Sequence, residues 1–146
     1  MYLLRCLRIL VCVLLMSVAC TPSIADDEIV AIVHPSVEQE QISLSLAKQI
    51  FAMKLKQWPG DGPIKVFVLP DRYPLHVRFS KQILDLFPVQ LRLVWDRQVF
   101  SGTGQAPQVV DSEEEMLRFV ADTPGAIGYL SRQKVDEERI RMVEVH

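Results

Sequence analysis

The chain has 146 residues, with 16 Lys+Arg against 18 Asp+Glu and a formal net charge of −2. That length allows one domain, and the weak acidity speaks against nucleic acid as a partner, because such binding rests on neutralising phosphates. All three cysteines (Cys6, Cys12 and Cys20) lie near the start, so the rest of the chain offers neither a disulfide framework nor a cysteine-held metal.

The first stretch reads as an export signal. Arg5 and Arg8 sit in a short n-region, and "ILVCVLLMSVA" (9–19) is an apolar run of 11 residues. A membrane-spanning helix needs roughly 20. "SIA" (23–25) offers small residues at the positions a signal peptidase reads, with cleavage before Asp26. The expected organisation is a signal peptide over 1–25 and one exported, periplasmic domain over 26–146. The alternative is a lipoprotein anchored at Cys20: Ala19-Cys20 fits that signal, although Ser17 stands where leucine is expected. Removing 1–25 takes away two arginines and no acid, which leaves 14 Lys+Arg against 18 Asp+Glu, a net charge of −4.

"EIVAIVH" (28–34) is β-branched and almost continuously apolar, which predicts a strand buried on both faces. "SLAKQIFAMKLKQW" (45–58) predicts an amphipathic helix capped by Ser45, with Leu46, Ile50 and Met53 on one face. "PGDGP" is a turn and "IKVFVLP" (64–70) a second strand ended by proline. In "DRYPLHVRFSKQILDLF", Pro74 suits the first turn of a helix whose apolar face carries Leu75, Phe79, Ile83 and Leu86. Pro88 starts another helix with Leu91, Val94, Trp95 and Val99 on one side. In "DSEEEMLRFVAD", Ser112 and Glu115 form a capping box. "AIGYL" and "IRMVEV" (140–145) are the closing strands. Strands alternating with helices predict an α/β layered domain, a mostly parallel sheet flanked by helices.

Four pieces stand in a telling order: "AIVHP", "LSLAKQIFAMKLKQWPGDGPIKVFVLP", "F…W…VFSGTG" and "PGAIGY". Their order resembles the phosphate-binding periplasmic proteins of ABC transporters, and especially their small single-lobe relatives. The resemblance implies a type II periplasmic-binding-protein-like fold reduced to a single lobe, export, and a small anion such as phosphate as ligand. A homodimer or another envelope protein would supply the second wall of the cleft. The family's second lobe carries Ser-Gly-Thr-Arg just after the strand that matches Ile64–Leu69; here that place holds "YPLH" (73–76). Phosphate is therefore expected to bind weakly.

Two stretches compete as anion sites. "FSGTGQAP" (100–107) has the glycines and hydroxyls of a phosphate cradle. It does not lead directly into a helix, brings no lysine, and precedes the acidic "DSEEE", so it reads as a flexible connection. "PDRYPLH" (70–76) stands where a strand ends and a helix starts, the usual ligand edge of an open α/β sheet. Asp71, Arg72, Tyr73 and His76 are the candidate ligand-binding residues, with Arg72 a two-pronged cation and His76 a donor that charges in mild acid. No His-Glu-x-x-His, cysteine pair or Gly-x-Ser-x-Gly is present from Asp26 on, so no metal, cofactor or catalytic residue is expected. The leading reading is an exported, non-enzymatic solute-binding-like domain. The alternative is an envelope interaction or accessory protein that keeps the fold without a small molecule.

Overall fold

Proline and serine punctuate the helices of this chain: Pro74 and Pro88 open two of them, and Ser43 and Ser112 cap the other two. The computed structural model describes residues 27–60 and 62–146, so the expected signal peptide and the alternative anchor Cys20 lie outside the described residues. The strands are β1 (Ile29–Val33), β2 (Gln41–Ile42), β3 (Lys65–Val68), β4 (Gln108–Val109), β5 (Ala126–Ser131) and β6 (Arg141–Val145). The helices are α1 (Leu44–Phe51), α2 (Pro74–Gln82), α3 (Pro88–Phe100) and α4 (Glu113–Asp122). Pro74 and Pro88 each open a helix, where a missing N–H is no loss.

The strands form one sheet in the order β2-β6-β1-β5-β3-β4. Among the described residues β1 alone runs against the rest, pairing antiparallel with both β5 and β6. The sheet is mixed, with most of its strands parallel in direction. Continuous apolarity in β1 reflects its central position, covered on both faces, and not a parallel neighbour.

Alternation along β5 sorts the layers. Gly128 faces α4: a Cβ there would meet Met116 Sδ at 2.4 Å and Val120 Cγ2 at 3.1 Å. Phe67 of β3 stacks on Phe119 of α4 on that same side, centroids 5.6 Å apart. Tyr129 points to the opposite face. Its ring stacks on Phe79 of α2 at 3.9 Å, and Phe51 of α1 meets Phe79 edge-on at 4.8 Å. Such aromatic pairs add about 0.5–1.5 kcal/mol each beyond area burial. α3 lies on this second layer. Trp95 is fully buried and its Nε1 donates to the Phe51 carbonyl at 2.8 Å; Gln98 Nε2 donates to the Ala52 carbonyl at 2.7 Å.

Local readings shift in instructive ways. Ser43, not Ser45, caps α1, its hydroxyl accepting from the Leu46 N–H at 3.2 Å. That helix stops at Phe51 because Met53 turns left-handed at φ 59°. Ser112 does cap α4 by accepting from Glu115 N–H, but Glu115 reaches back to the Asp111 N–H, one residue beyond a closed box. Val99 is half exposed, off the buried side of α3. The two-residue strands β2 and β4 had no signal in the sequence pattern.

Gly125 shows why "PGAIGY" begins as it does. Its φ is +76°, and a Cβ there would meet the Pro63 carbonyl oxygen at 2.2 Å. Its own carbonyl accepts from Trp58 Nε1 at 2.9 Å and from the Lys65 N–H at 3.1 Å. Gly125→Ala combines left-handed strain with a backbone collision. It is expected to destabilise the fold by about 2–3 kcal/mol, seen as a lower denaturation midpoint at unchanged m-value.

Candidate functional site

At the end of β3, Pro70 breaks the ladder and the Tyr73 N–H returns to the Pro70 carbonyl at 2.8 Å. This turn aims the chain into α2. Tyr73 is the N-cap residue, with extended backbone and no side-chain hydrogen bond to the helix. Pro74 brings no N–H, and the Leu75 and His76 N–H groups have no acceptor among the described residues. The first turn of α2 is therefore open to an acceptor from outside.

The candidate residues around it divide. Arg72 is exposed, and its guanidinium has no partner among the described residues. Tyr73 packs part-buried against the core. Asp71 is held by Arg92 of α3 in a two-pronged pair: Nε donates to Oδ2 at 2.9 Å and Nη2 to Oδ1 at 2.8 Å. Arg92 in turn lies 5.1 Å from the Trp95 ring centroid. His76 is inside, 1% exposed. Arg92, which the sequence reading passed over, is the cation placed at this turn, whereas His76 is a buried, neutral donor.

The state of His76 follows from its neighbours. The Leu69 N–H donates to the Tyr129 hydroxyl oxygen at 2.8 Å. The Tyr129 O–H is then free to donate to His76 Nδ1, 2.5 Å away. With Nδ1 accepting, the ring proton sits on Nε2, an assignment made from this donor–acceptor chain. Nε2 has no partner among the described residues and lies 4.0 Å from Asp71 Oδ1, too far for a hydrogen bond. Burial lowers the His76 pKa below its ordinary value, against the pull of Asp71. The hydrogen bonds from Arg92 hold the Asp71 carboxyl below the usual range and raise Arg92 in return. Burial pushes the Tyr129 phenol far up, so it stays a donor.

The glycine-rich loop is built differently. Ser101 ends α3, and Gly102 follows at φ +68°. The N–H groups of Ser101, Gly102, Thr103 and Gly104 donate back to the Arg97, Val99 and Gln98 carbonyls. This is a helix C-terminus with its amides already bonded, the negative end of the dipole. The loop is a connection fastened to α3 and not a cradle. One feature could not be read locally: Lys56 and Lys65 approach it from other segments and line a groove of about 460 Å³ with Gly102–Gln105.

Nor is the acidic run simply solvated. Glu113 is buried, its Oε2 accepting from the Ser131 N–H at 3.0 Å and hydroxyl at 2.7 Å, with Lys134 3.4 Å from its other oxygen. It ties the start of α4 to the end of β5. Among the described residues no group of three or more His, Cys, Asp or Glu gathers as a metal site would require, and no helix is long and apolar enough to cross a membrane.

A pH dependence follows from His76. The unfolded chain takes up its proton near the ordinary value of about 6.5, while the folded ring stays neutral to lower pH. The unfolded state binds more protons in that window, so stability is full above about pH 6.5 and falls as the pH drops below it. His76→Asn keeps an acceptor near Nδ1 and removes the titration. The loss of stability between pH 7 and pH 5 should be smaller in the variant than in the wild type, by denaturant unfolding at each pH; an unchanged difference would remove His76 from the account.

Comparison with known proteins extends these observations. No family model matches the chain. The Phosphate-binding protein PstS of Bacillus subtilis (strain 168) is 28% identical over 120 residues, covering 79% of this chain and 35% of that protein. A Clostridium perfringens protein, described as a phosphate ABC transporter substrate-binding protein and solved with bound phosphate, superposes with a TM-score of 0.64 at 22% identity, covering 82% of this chain and 45% of that one. An ABC-type phosphate transport receptor from Vibrio cholerae gives 0.64 at 14% identity, covering 82% and 46%. The chain thus spans between a third and a half of the length of the proteins it matches. Over about four-fifths of its own length it is related in sequence and fold to the phosphate-binding proteins of ABC transporters.

Proposed function

We propose that the chain is an exported, non-enzymatic solute-binding-like domain that meets a small anion at the turn from β3 into α2. The observation that carries this reading is the uncapped start of α2, with the Arg92 guanidinium held by Asp71 in the turn that precedes it at the C-terminal edge of β3. Arg72 adds a second, solvated cation beside it. Phosphate is the ligand named for the relatives. Here Tyr73, Pro74 and Leu75 supply none of the small hydroxyls that would reach phosphate oxygens, so modest affinity and tolerance of other small oxyanions are expected.

Calorimetric titration with phosphate, sulfate and acetate tests the reading. Arg92→Ala should weaken whatever binding is found by about 1.5–3 kcal/mol, the range for a hydrogen bond to a charged group. Thr103→Ala and Lys65→Ala should leave it unchanged. The reverse pattern would move the anion to the groove beside the glycine-rich loop.

Export rests on the basic n-region, the short apolar run and "SIA". The intact mass of the exported product is expected to begin at Asp26. A lipid-modified mass beginning at Cys20 would put the domain on a membrane surface instead.

A second reading, an envelope interaction module without a small ligand, is favoured by one observation. The outer face of α3 exposes Val89 (62%), Leu93 (60%) and Phe100 (89%), with Phe87 (57%) beside its start. Contiguous exposed apolar surface of this kind is a mark of protein contact. The titration separates the two readings, since this one requires no heat from any of the anions.

A further inference from the structure

We infer that the Arg92 guanidinium and the buried His76 Nε2–H form an oxyanion site whose resting occupant is the chain's own Asp71 carboxylate, held by Arg92 and short of His76, and that an external carboxylate or phosphate enters when Asp71 gives way. This rests on the anion reading above and identifies what limits its affinity.

Arg92 and the His76 ring reach Asp71 from separate parts of the fold. Arg92 comes from α3, 21 residues along the chain, and grips both Asp71 oxygens. Leu75 and His76 N–H open the helix without an acceptor among the described residues. His76 Nε2–H is buried, unpartnered among the described residues and directed at the same carboxylate, 4.0 Å from Oδ1. A buried donor without a partner is costly, so an oxygen that reached it would recover that loss. Asp71 falls short of it. Its carboxylate has two oxygens, and Arg92 engages both. The two-pronged geometry is the one guanidinium groups use for external carboxylates and phosphates.

Asp71 also sets the charge. With it ionised, Arg92 is neutralised; without it, Arg92 keeps only the more distant field of Asp96 among the acids that act on it within the described residues. An external anion in the wild type therefore competes with a tethered carboxylate, whose effective concentration on a short turn is of order millimolar or higher.

Removing the internal anion should open the site. Formate, acetate and inorganic phosphate are titrated at pH 7 into the wild type, Asp71→Ala and the double variant Asp71→Ala/Arg92→Ala. We expect Asp71→Ala to bind formate or acetate at least tenfold more tightly than the wild type, with a matching rise in melting temperature, and the double variant to lose that gain. Equal or weaker binding by Asp71→Ala overturns the inference. Should Asp71→Ala fail to fold, Asp71→Asn, which keeps the volume and one acceptor but not the charge, is titrated in its place under the same criterion. The outcomes are separable from those of the anion reading. A wild type that binds phosphate with no gain in Asp71→Ala keeps that reading and sinks this one. A wild type that binds nothing beside an Asp71→Ala that binds formate supports internal occupancy. Binding by neither removes both.

Discussion

The Tyr129 hydroxyl is the bond on which the rest of the site depends. It accepts from the Leu69 N–H as β3 ends and donates to His76 one turn into α2, so one oxygen joins β5, β3 and α2. Without it the Leu69 N–H would be buried with no acceptor, a penalty of about 1–3 kcal/mol. The same bond fixes the ring proton of His76 on Nε2 and so turns a donor toward Asp71. Core packing and site chemistry meet here in one side chain, since the Tyr129 ring also stacks on Phe79.

Helix polarity is the reason the anion site is proposed at a proline-bearing turn and not at a glycine-rich loop. A phosphate cradle works through free backbone N–H groups. At Ser101–Gly104 those groups close α3 against its own carbonyls, and the glycine at φ +68° serves that closure. At the β3–α2 turn the helix starts with no side-chain cap, and its first N–H groups remain open. Composition alone pointed to the first stretch; direction along the helix decides for the second. Lys56 and Lys65 beside the loop are solvated side chains at the C-terminal end of a helix, a weaker arrangement than a guanidinium at a helix start.

Elements with local causes were legible in the sequence. Pro74, Pro88 and Ser112 mark helix starts where the structure has them, and β1, β3, β5 and β6 follow from apolar runs. The fold class and the family resemblance were legible for the same reason. "PGAIGY" condenses three constraints: a left-handed turn against Pro63, a helix seat at Gly128, and the Tyr129 hydroxyl. What could not be read is non-local. Two-residue strands carry no period. The Asp71–Arg92 pair spans 21 residues and two helices, and the Lys134–Glu113 contact likewise crosses the fold. His76 looked like a surface donor because the sequence shows its type and not its burial. The "Y" of "PGAIGY", a hydroxyl in the middle of an apolar run, was the available hint that a polar partner lay inside.

Scaffold and site have different physical origins in this chain. The scaffold rests on backbone requirements: Gly125 where a Cβ meets a carbonyl, Gly128 where α4 lies against the sheet, and Trp58 and Trp95 donating to main-chain oxygens. Such requirements tolerate little substitution. The ligand edge is made of side chains on a turn whose path is already fixed by Pro70, Pro74 and the Tyr129 bond. Its residues can change without disturbing the layers, as "YPLH" does where the family carries small hydroxyls. Fold therefore carries less information about ligand than the turn does. In the proposed site at that turn, the balance between Arg92, Asp71 and the open start of α2 would set what the domain can hold.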